Sequence, residues 1–256
     1  MTNIQVNHLD DQLSKVPAVT LLFWVIKIAA TTLGETAGDA VSMSMNLGYL
    51  VGTAIFAVVF LAVVAAQISA KRFHPALYWL TIIATTTVGT TMADFADRSL
   101  GIGYAGGSAM LLLLLVASLV TWHRTMGSVS IDTVSSPRVE VFYWVTIMFS
   151  QTLGTALGDW TADSAGLGYG GGAIVFSVLL ACVVVAYYRT KLSRTLLFWL
   201  AFVLTRPLGA VVGDLLDKPL SAGGLAMSRY TASAVLLLFI ITCILALPQR
   251  AGAKAH

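Results

Sequence analysis

The chain has 256 residues, 57% of them hydrophobic and only 11% charged, and its mean hydropathy of +0.85 lies well above that of a soluble globular domain. This excludes an ordinary water-soluble enzyme. The formal charge of +3 calls for no nucleic acid, because basic loops are what membrane topology demands.

A bilayer-crossing helix needs about 20 mostly apolar residues. Eight such stretches follow in chain order, at roughly 17–40, 48–70, 76–96, 103–123, 140–161, 168–188, 196–216 and 227–247. The expected fold is all-α and polytopic, with eight transmembrane helices. It forms a single integral membrane domain over 1–256, with repeats near 17–70, 76–123, 140–188 and 196–247. Asp10, Asp11 and Lys15 precede the first stretch, which is too long for a signal-peptide core, so the N-terminus is expected to stay as a first span. The longest break, TMGSVSIDTVSSPRVE, has sixteen residues. Function must therefore sit inside the bundle.

Positive charge sets the orientation. Lys15, Lys71, Arg72, Arg124, Arg138, Arg189, Lys191, Arg194, Arg250 and Lys254 fall on one side of an eight-helix count, and Arg98, Lys218 and Arg229 on the other. That bias places both termini in the cytoplasm and the protein in the cell's inner membrane. Cys182 and Cys243 lack CxxC spacing and read as small buried side chains. His8, His74, His123 and His256 lie in tails or at helix ends, where no pair could clamp a haem, and no cofactor is expected.

Internal repetition organises the rest. The aromatic-Trp pairs Phe23-Trp24, Tyr78-Trp79, Tyr143-Trp144 and Phe198-Trp199 each start the same countdown. Ten residues after each Trp stands Gly34, Gly89, Gly154 or Gly209, and fifteen after it Asp39, Asp94, Asp159 or Asp214. In three copies a Gly-Tyr pair follows, ending at Tyr49, Tyr104 and Tyr169, whereas the fourth reaches Arg229-Tyr230 after extra residues. Each copy is two helices, so successive copies share one orientation and are parallel repeats. Their uneven spacing predicts two four-helix halves joined by the long linker. The aromatic-Trp pairs near the helix starts read as interfacial anchors.

With these motifs the chain resembles a bacterial membrane family built from four tandem copies of the repeat of unknown function 347, each with two spans and a recurrent Trp. The resemblance runs from Leu22 to about Leu245. It implies the helical repeat architecture, and the family name implies no activity.

The segments GETAGD, GTTMAD, GTALGD and GAVVGD place small residues four apart: Gly34 and Gly38, Gly89 and Ala93, Gly154 and Gly158, Gly209 and Gly213. Such a face lets a neighbouring backbone approach closely. The second helices carry Gly48/Gly52, Gly103/Gly107 and Gly168/Gly172, so odd helices are expected to pack on even ones through these glycines. At about 1.5 Å per residue, Asp39 stands roughly 22 Å from the level of Trp24, toward the outer surface. Glu35 lies one turn before Asp39, and Asp97, Asp163 and Asp217 lie three or four residues after their partners. Eight of the twelve acids thus gather at one level.

A carboxylate facing lipid costs a few kcal/mol, so intramembrane acids point inward and find a cation, a proton or a donor. Four symmetric Asp turned inward make an oxygen-rich ring suited to a hard metal cation or to protons. The structural alternative is that they bond the glycine-rich turn or pair with Arg98, Lys218 or Arg229; for Asp97, Asp163 and Asp217 that alternative is the preferred one.

Three residues break the symmetry. Glu35 aligns with Thr90, Thr155 and Ala210; Lys27 with Ile82, Ile147 and Phe202; Arg206 with Thr31, Thr86 and Gln151. Lys27 could snorkel to the cytoplasmic side. Arg206, followed by Pro207, reads as an internal counter-ion or gate beneath the acids, with a kink at the proline. Thr31, Thr32, Thr86, Thr87, Thr152 and Gln151 either bond the helix backbone or, with Glu35 and Arg206, sketch a polar file leading from the acids toward the cytoplasm.

The first functional reading is a small secondary transporter for an inorganic, divalent cation, proton-coupled, with Asp39, Asp94, Asp159, Asp214 and Glu35 as cation or proton ligands and Arg206 and Lys27 as gating or counter-ion groups. Its partners are the lipid bilayer and the ion, and a homo-oligomer stays open. Glu35-x-x-Gly38-Asp39 is similar to the E-x-G-D signature of a family of manganese and calcium transporters, with one residue too many. The second reading is a non-catalytic scaffold or sensor. The third is an intramembrane aspartyl protease, since Gly158-Asp159 and Gly213-Asp214 provide glycine-preceded acids that could share a proton; the first reading is of a protein that is not an enzyme.

Overall fold

The computed structural model describes residues 13–253, so Asp10, Asp11, His8, Lys254 and His256 lie outside the described residues. Eight long helices carry the fold: α1 (Leu21–Asp39), α2 (Gly48–Ser69), α3 (Pro75–Asp94), α4 (Tyr104–Met126), α5 (Pro137–Asp159), α6 (Gly168–Arg189), α7 (Arg194–Asp217) and α8 (Arg229–Ala246). Six of them, all but α3 and α5, are long and apolar enough to cross a membrane. In the first three repeats the helix widens after its Asp into one π-helical turn, at Ala40–Ser44, Phe95–Ser99 and Trp160–Ser164. Gly48, Gly103 and Gly168 then take positive φ. Only glycine adopts that geometry without strain, and it turns the chain back into α2, α4 and α6.

The odd helices form the inside. α1 packs on α3, α3 on α5, α5 on α7, and α7 returns to α1, which closes a ring. Each even helix lies outside this ring against the odd helix of the next repeat: α2 on α3, α4 on α5, α6 on α7 and α8 on α1. The long linker between α4 and α5 therefore does not divide the protein into two halves as the repeat spacing predicts. Domain closure is cyclic because every copy hands its outer helix to its neighbour.

Glycine placement explains the ring. A Cβ at Gly34 would strike Thr86, at Gly89 the Gln151–Thr152 backbone, at Gly154 Arg206, and at Gly209 Thr31. One turn further, Gly38 faces Thr90, Gly158 faces Ala210 and Gly213 faces Glu35. These glycines thus join odd helices to odd helices, which corrects the odd-to-even pairing expected from spacing. The glycine face seats the residue seven after the neighbour's Trp, and only a missing side chain leaves room. On the even helices, Gly52 and Gly107 lie against Ser42 and Asp97 of their own π-turns, while Gly172 meets Val211 of α7, so the expected contact of even on odd helices through glycine is kept there.

Four-residue steps run down the ring interior. Phe23, Tyr78, Tyr143 and Phe198 make one layer; Lys27, Ile82, Ile147 and Phe202 the next; then Thr31, Thr86, Gln151 and Arg206; then Glu35, Thr90, Thr155 and Ala210; and finally the four Asp. All twenty side chains are buried. Because four exceeds 3.6 residues per turn, the stripe drifts by about 40° per step, so the helices must cross to keep it on the axis.

At the terminal end the aromatic-Trp pairs form a core. Trp79 and Tyr143 are fully buried, Trp144 and Trp199 nearly so, and edge-to-face contacts link Trp122 with Trp199, Tyr143 with Trp144, and Phe198 with Trp199. Trp79, Trp144 and Trp199 are therefore core residues and not interfacial anchors, with Leu13–Pro17 (β1) and Ala251–Ala253 (β2) paired antiparallel at this end, whereas Trp24 stays partly exposed. Trp79 Nε1 donates to Gln249 Oε1 at 3.1 Å and Trp199 Nε1 to the Val129 carbonyl at 3.0 Å. Lys15 reaches from β1 to the fully buried Glu140 at 2.5 Å. Cys243 is buried, but Cys182 is exposed on the outer face of α6, contrary to its reading as a buried side chain.

Candidate cation site

The four repeat-related Asp lie at the far end of the ring, at the last residues of α1, α3 and α5 and near the end of α7. Each is at most 3% exposed. They sit inward because the glycine five residues earlier, with the small residue directly before the Asp, brings the neighbouring helix against the same face.

Three cations enter this level. Arg98 Nε lies 2.8 Å from Asp94 Oδ1 and its Nη2 lies 3.2 Å from Asp159 Oδ2. Lys218 Nζ lies 2.6 Å from Asp39 Oδ2 and 2.9 Å from Asp214 Oδ1. Arg229 Nε lies 3.1 Å from Asp217 Oδ2 and 3.6 Å from Asp39 Oδ2. Two bridged pairs result, one across the α3–α5 seam and one across the α7–α1 seam. Burial pulls the Lys218 ammonium down, but the Asp214 and Asp39 carboxylates outweigh it and hold the pKa well above that of a free lysine.

Asp217, preferred as a loop acid from sequence, is buried and joins the site. Asp39, Asp214 and Asp217 each offer a carboxylate oxygen within 4.8 Å of the others, a spacing compatible with one hard cation. Asp97 is also buried, against Gly107, whereas Asp163 is exposed and accepts from Tyr104 at 3.4 Å.

One turn inward the polar groups change. Arg206 Nη2 donates to Glu35 Oε2 at 3.0 Å, Thr90 Oγ1 at 2.6 Å and Thr155 Oγ1 at 2.5 Å. Thr90 Oγ1 also donates to Glu35 Oε2 at 3.3 Å. Glu35 and Arg206 therefore face one another across the ring, and α7 runs on through Pro207 to Asp217. Lys27 does not snorkel. It is fully buried, donates to Thr205 Oγ1 at 3.2 Å and lies 3.9 Å over the Phe202 ring, an arrangement that the bulk of the covered aromatic layer below it enforces.

Arg98, Lys218 and Arg229, named from the sequence as the alternative partners of the acids, do pair with them; which acid each meets was not legible. A finer signal was present: copies two and four share Asp-x-x-Asp followed by a base, as Asp94-Asp97-Arg98 and Asp214-Asp217-Lys218, and copies one and three do not.

Neither the curated proteins nor the solved structures contain a match to this chain. The Repeat of Unknown Function (DUF347) matches at residues 22–73, 77–128, 142–193 and 197–250, each match taking one inner and one outer helix. Four matches over most of its length place the chain in that repeat family.

Proposed function

We propose that the chain spans the inner membrane eight times, with both termini cytoplasmic, and binds and moves an inorganic divalent cation through its outer carboxylate cluster. The outer helices present Leu50, Leu113, Ile174 and Leu238, each more than half exposed, a surface that lipid tails solvate and water does not. α3 and α5 fall short of the apolarity of a lone span because protein, not lipid, surrounds them. Nine basic residues among the described ones, in segments and helix ends on the side of β1 and β2, fit the cytoplasmic face.

The observation that carries the reading is charge: six buried carboxylates, Asp39, Asp94, Asp97, Asp159, Asp214 and Asp217, share this end with three cations, Arg98, Lys218 and Arg229. Such an excess of acids over bases away from water is costly, and a bound divalent ion reduces it. Lys218 occupies the space between Asp39 and Asp214 and would be displaced as the ion enters. In proteoliposomes, wild-type protein is expected to take up Mn2+, and Asp39→Asn and Asp214→Asn to lose uptake while remaining folded; uptake equal to wild type in both variants rejects the proposal.

The pairing of the acids with protein cations favours one competitor, a non-catalytic scaffold in which these ion pairs only fix the ring. It requires all four Asp→Asn variants to keep whatever cellular role the protein has. The protease reading of Asp159 and Asp214 is disfavoured because each is ion-paired with its own protein cation, Arg98 and Lys218, in place of sharing a proton.

A further inference from the structure

We infer that the ion passing along the ring axis is a proton carried by Glu35, with Arg206 positioning that carboxylate; this rests on the cation reading above for what lies at the outer end. Glu35 is the single carboxylate of its layer, where the other helices supply Thr90, Thr155 and Ala210. Metal coordination needs several oxygens, whereas a proton carrier needs one. The charged groups facing it are Arg206 and Asp214 from α7, Asp39 from its own helix, Lys218 beyond α7, and Asp94 and Asp159 from α3 and α5.

Beneath Glu35 the buried polar groups are incompletely paired. Neither Gln151 amide atom has a hydrogen-bond partner among the described residues, nor do Thr86 Oγ1 and the Nε and Nη1 of Arg206, and all three residues are fully buried. Each unpaired group costs about 1–3 kcal/mol, so packing alone does not account for five such atoms in one layer on the axis. They are the donors and acceptors a proton needs on leaving Glu35. Lys27, one layer further, has no carboxylate partner among the described residues.

In the closed ring the same path is shut to larger ions, so a metal ion crosses only when the helices part, whereas a proton can pass with the ring closed. Ile82, Ile147 and Phe202 share the level of Lys27, and below them Tyr78 and Tyr143 join hydroxyls at 2.7 Å between Phe23 and Phe198. A metal ion would have to shed its ligands against this apolar layer; a proton needs only exchangeable groups.

The test is proton flux into liposomes bearing the full chain and a trapped pH-sensitive dye under an imposed gradient, with equilibrium Mn2+ binding measured on the same preparations. Wild type is expected to conduct protons. Glu35→Gln, and the charge-neutral pair Glu35→Gln with Arg206→Gln, are expected to lose the flux and keep Mn2+ binding. Flux equal to wild type in either glutamine variant overturns the inference, as does wild-type flux no greater than that of empty liposomes with Mn2+ binding intact. Infrared difference spectra of the wild type between acid and neutral pH are expected to show a buried carboxyl stretch that moves in Glu35→Asp; its absence overturns the inference without requiring the glutamine variants to fold. Unchanged Mn2+ binding in Asp39→Asn and Asp214→Asn would instead remove the outer site and leave Glu35-dependent flux standing.

Discussion

Glu35 and Arg206 show at the scale of single residues how this interior is balanced. Each is buried and each is the other's ionic partner. Removing one partner of such a pair strands a charge, which costs about 3–5 kcal/mol, whereas removing both is close to neutral. Arg206→Gln alone is therefore expected to lower the unfolding temperature in detergent far more than the Arg206→Gln, Glu35→Gln pair. Equal losses would mean that the pair carries no mutual energy. These two residues were visible in the sequence because symmetry supplied three neutral counterparts for each. The cations that pair with the repeat-related acids could be named from the sequence as candidates but not matched to individual acids, since a loop Lys or Arg looks the same whether it faces solvent or bends back over a helix end, as Lys218 and Arg229 do.

Helices pair here through small residues, and the partner matters as much as the motif. Spacing in the sequence identified the glycine faces but not what they meet, because a small-xxx-small stripe records close approach and not the identity of the approaching helix. A Cβ at Gly209 would come within 2.9 Å of the Thr31 backbone, and at Gly213 within 2.7 Å of Glu35 Cβ. Gly209→Ala is expected to destabilise by about 1–3 kcal/mol through overpacking. Gly170 on α6 has nothing within 4 Å, and Gly170→Ala is expected to be neutral or to stabilise by about 0.4–1 kcal/mol through a less flexible unfolded chain. Thermal unfolding of the two variants checks the ring directly: similar behaviour would place Gly209 outside a close seam.

Across the whole molecule, the repeats make a closed ring with distinct ends. One end is acidic and cross-braced by Arg98, Lys218 and Arg229; the other is aromatic and covered by the paired β1 and β2 segments. The helix count and the parallel repeat were readable from hydropathy and from the Trp countdown. The terminal cap was not, because five residues of β1 carry no periodic signal and gain their order from Val134 and Ile131 carbonyls and from Ala251–Ala253. Lys15 ties that cap to Glu140 and to the Gln67 and Ile68 carbonyls at the end of α2. Lys15→Met should thus leave Glu140 buried without its cation and lower stability by about 3–5 kcal/mol, read as a lower unfolding temperature; no change would show the cap to be ornamental.

The central claim is that the outer carboxylates form an exchangeable cation site and do more than brace the ring. Equilibrium binding of Mn2+ to the purified protein, followed by electron paramagnetic resonance, tests it most directly. The account predicts saturable binding that is lost in Asp39→Asn and Asp214→Asn and tightened in Lys218→Gln, where the resident ammonium is gone. Binding that is absent from the wild type, or indifferent to all three substitutions, would contradict it.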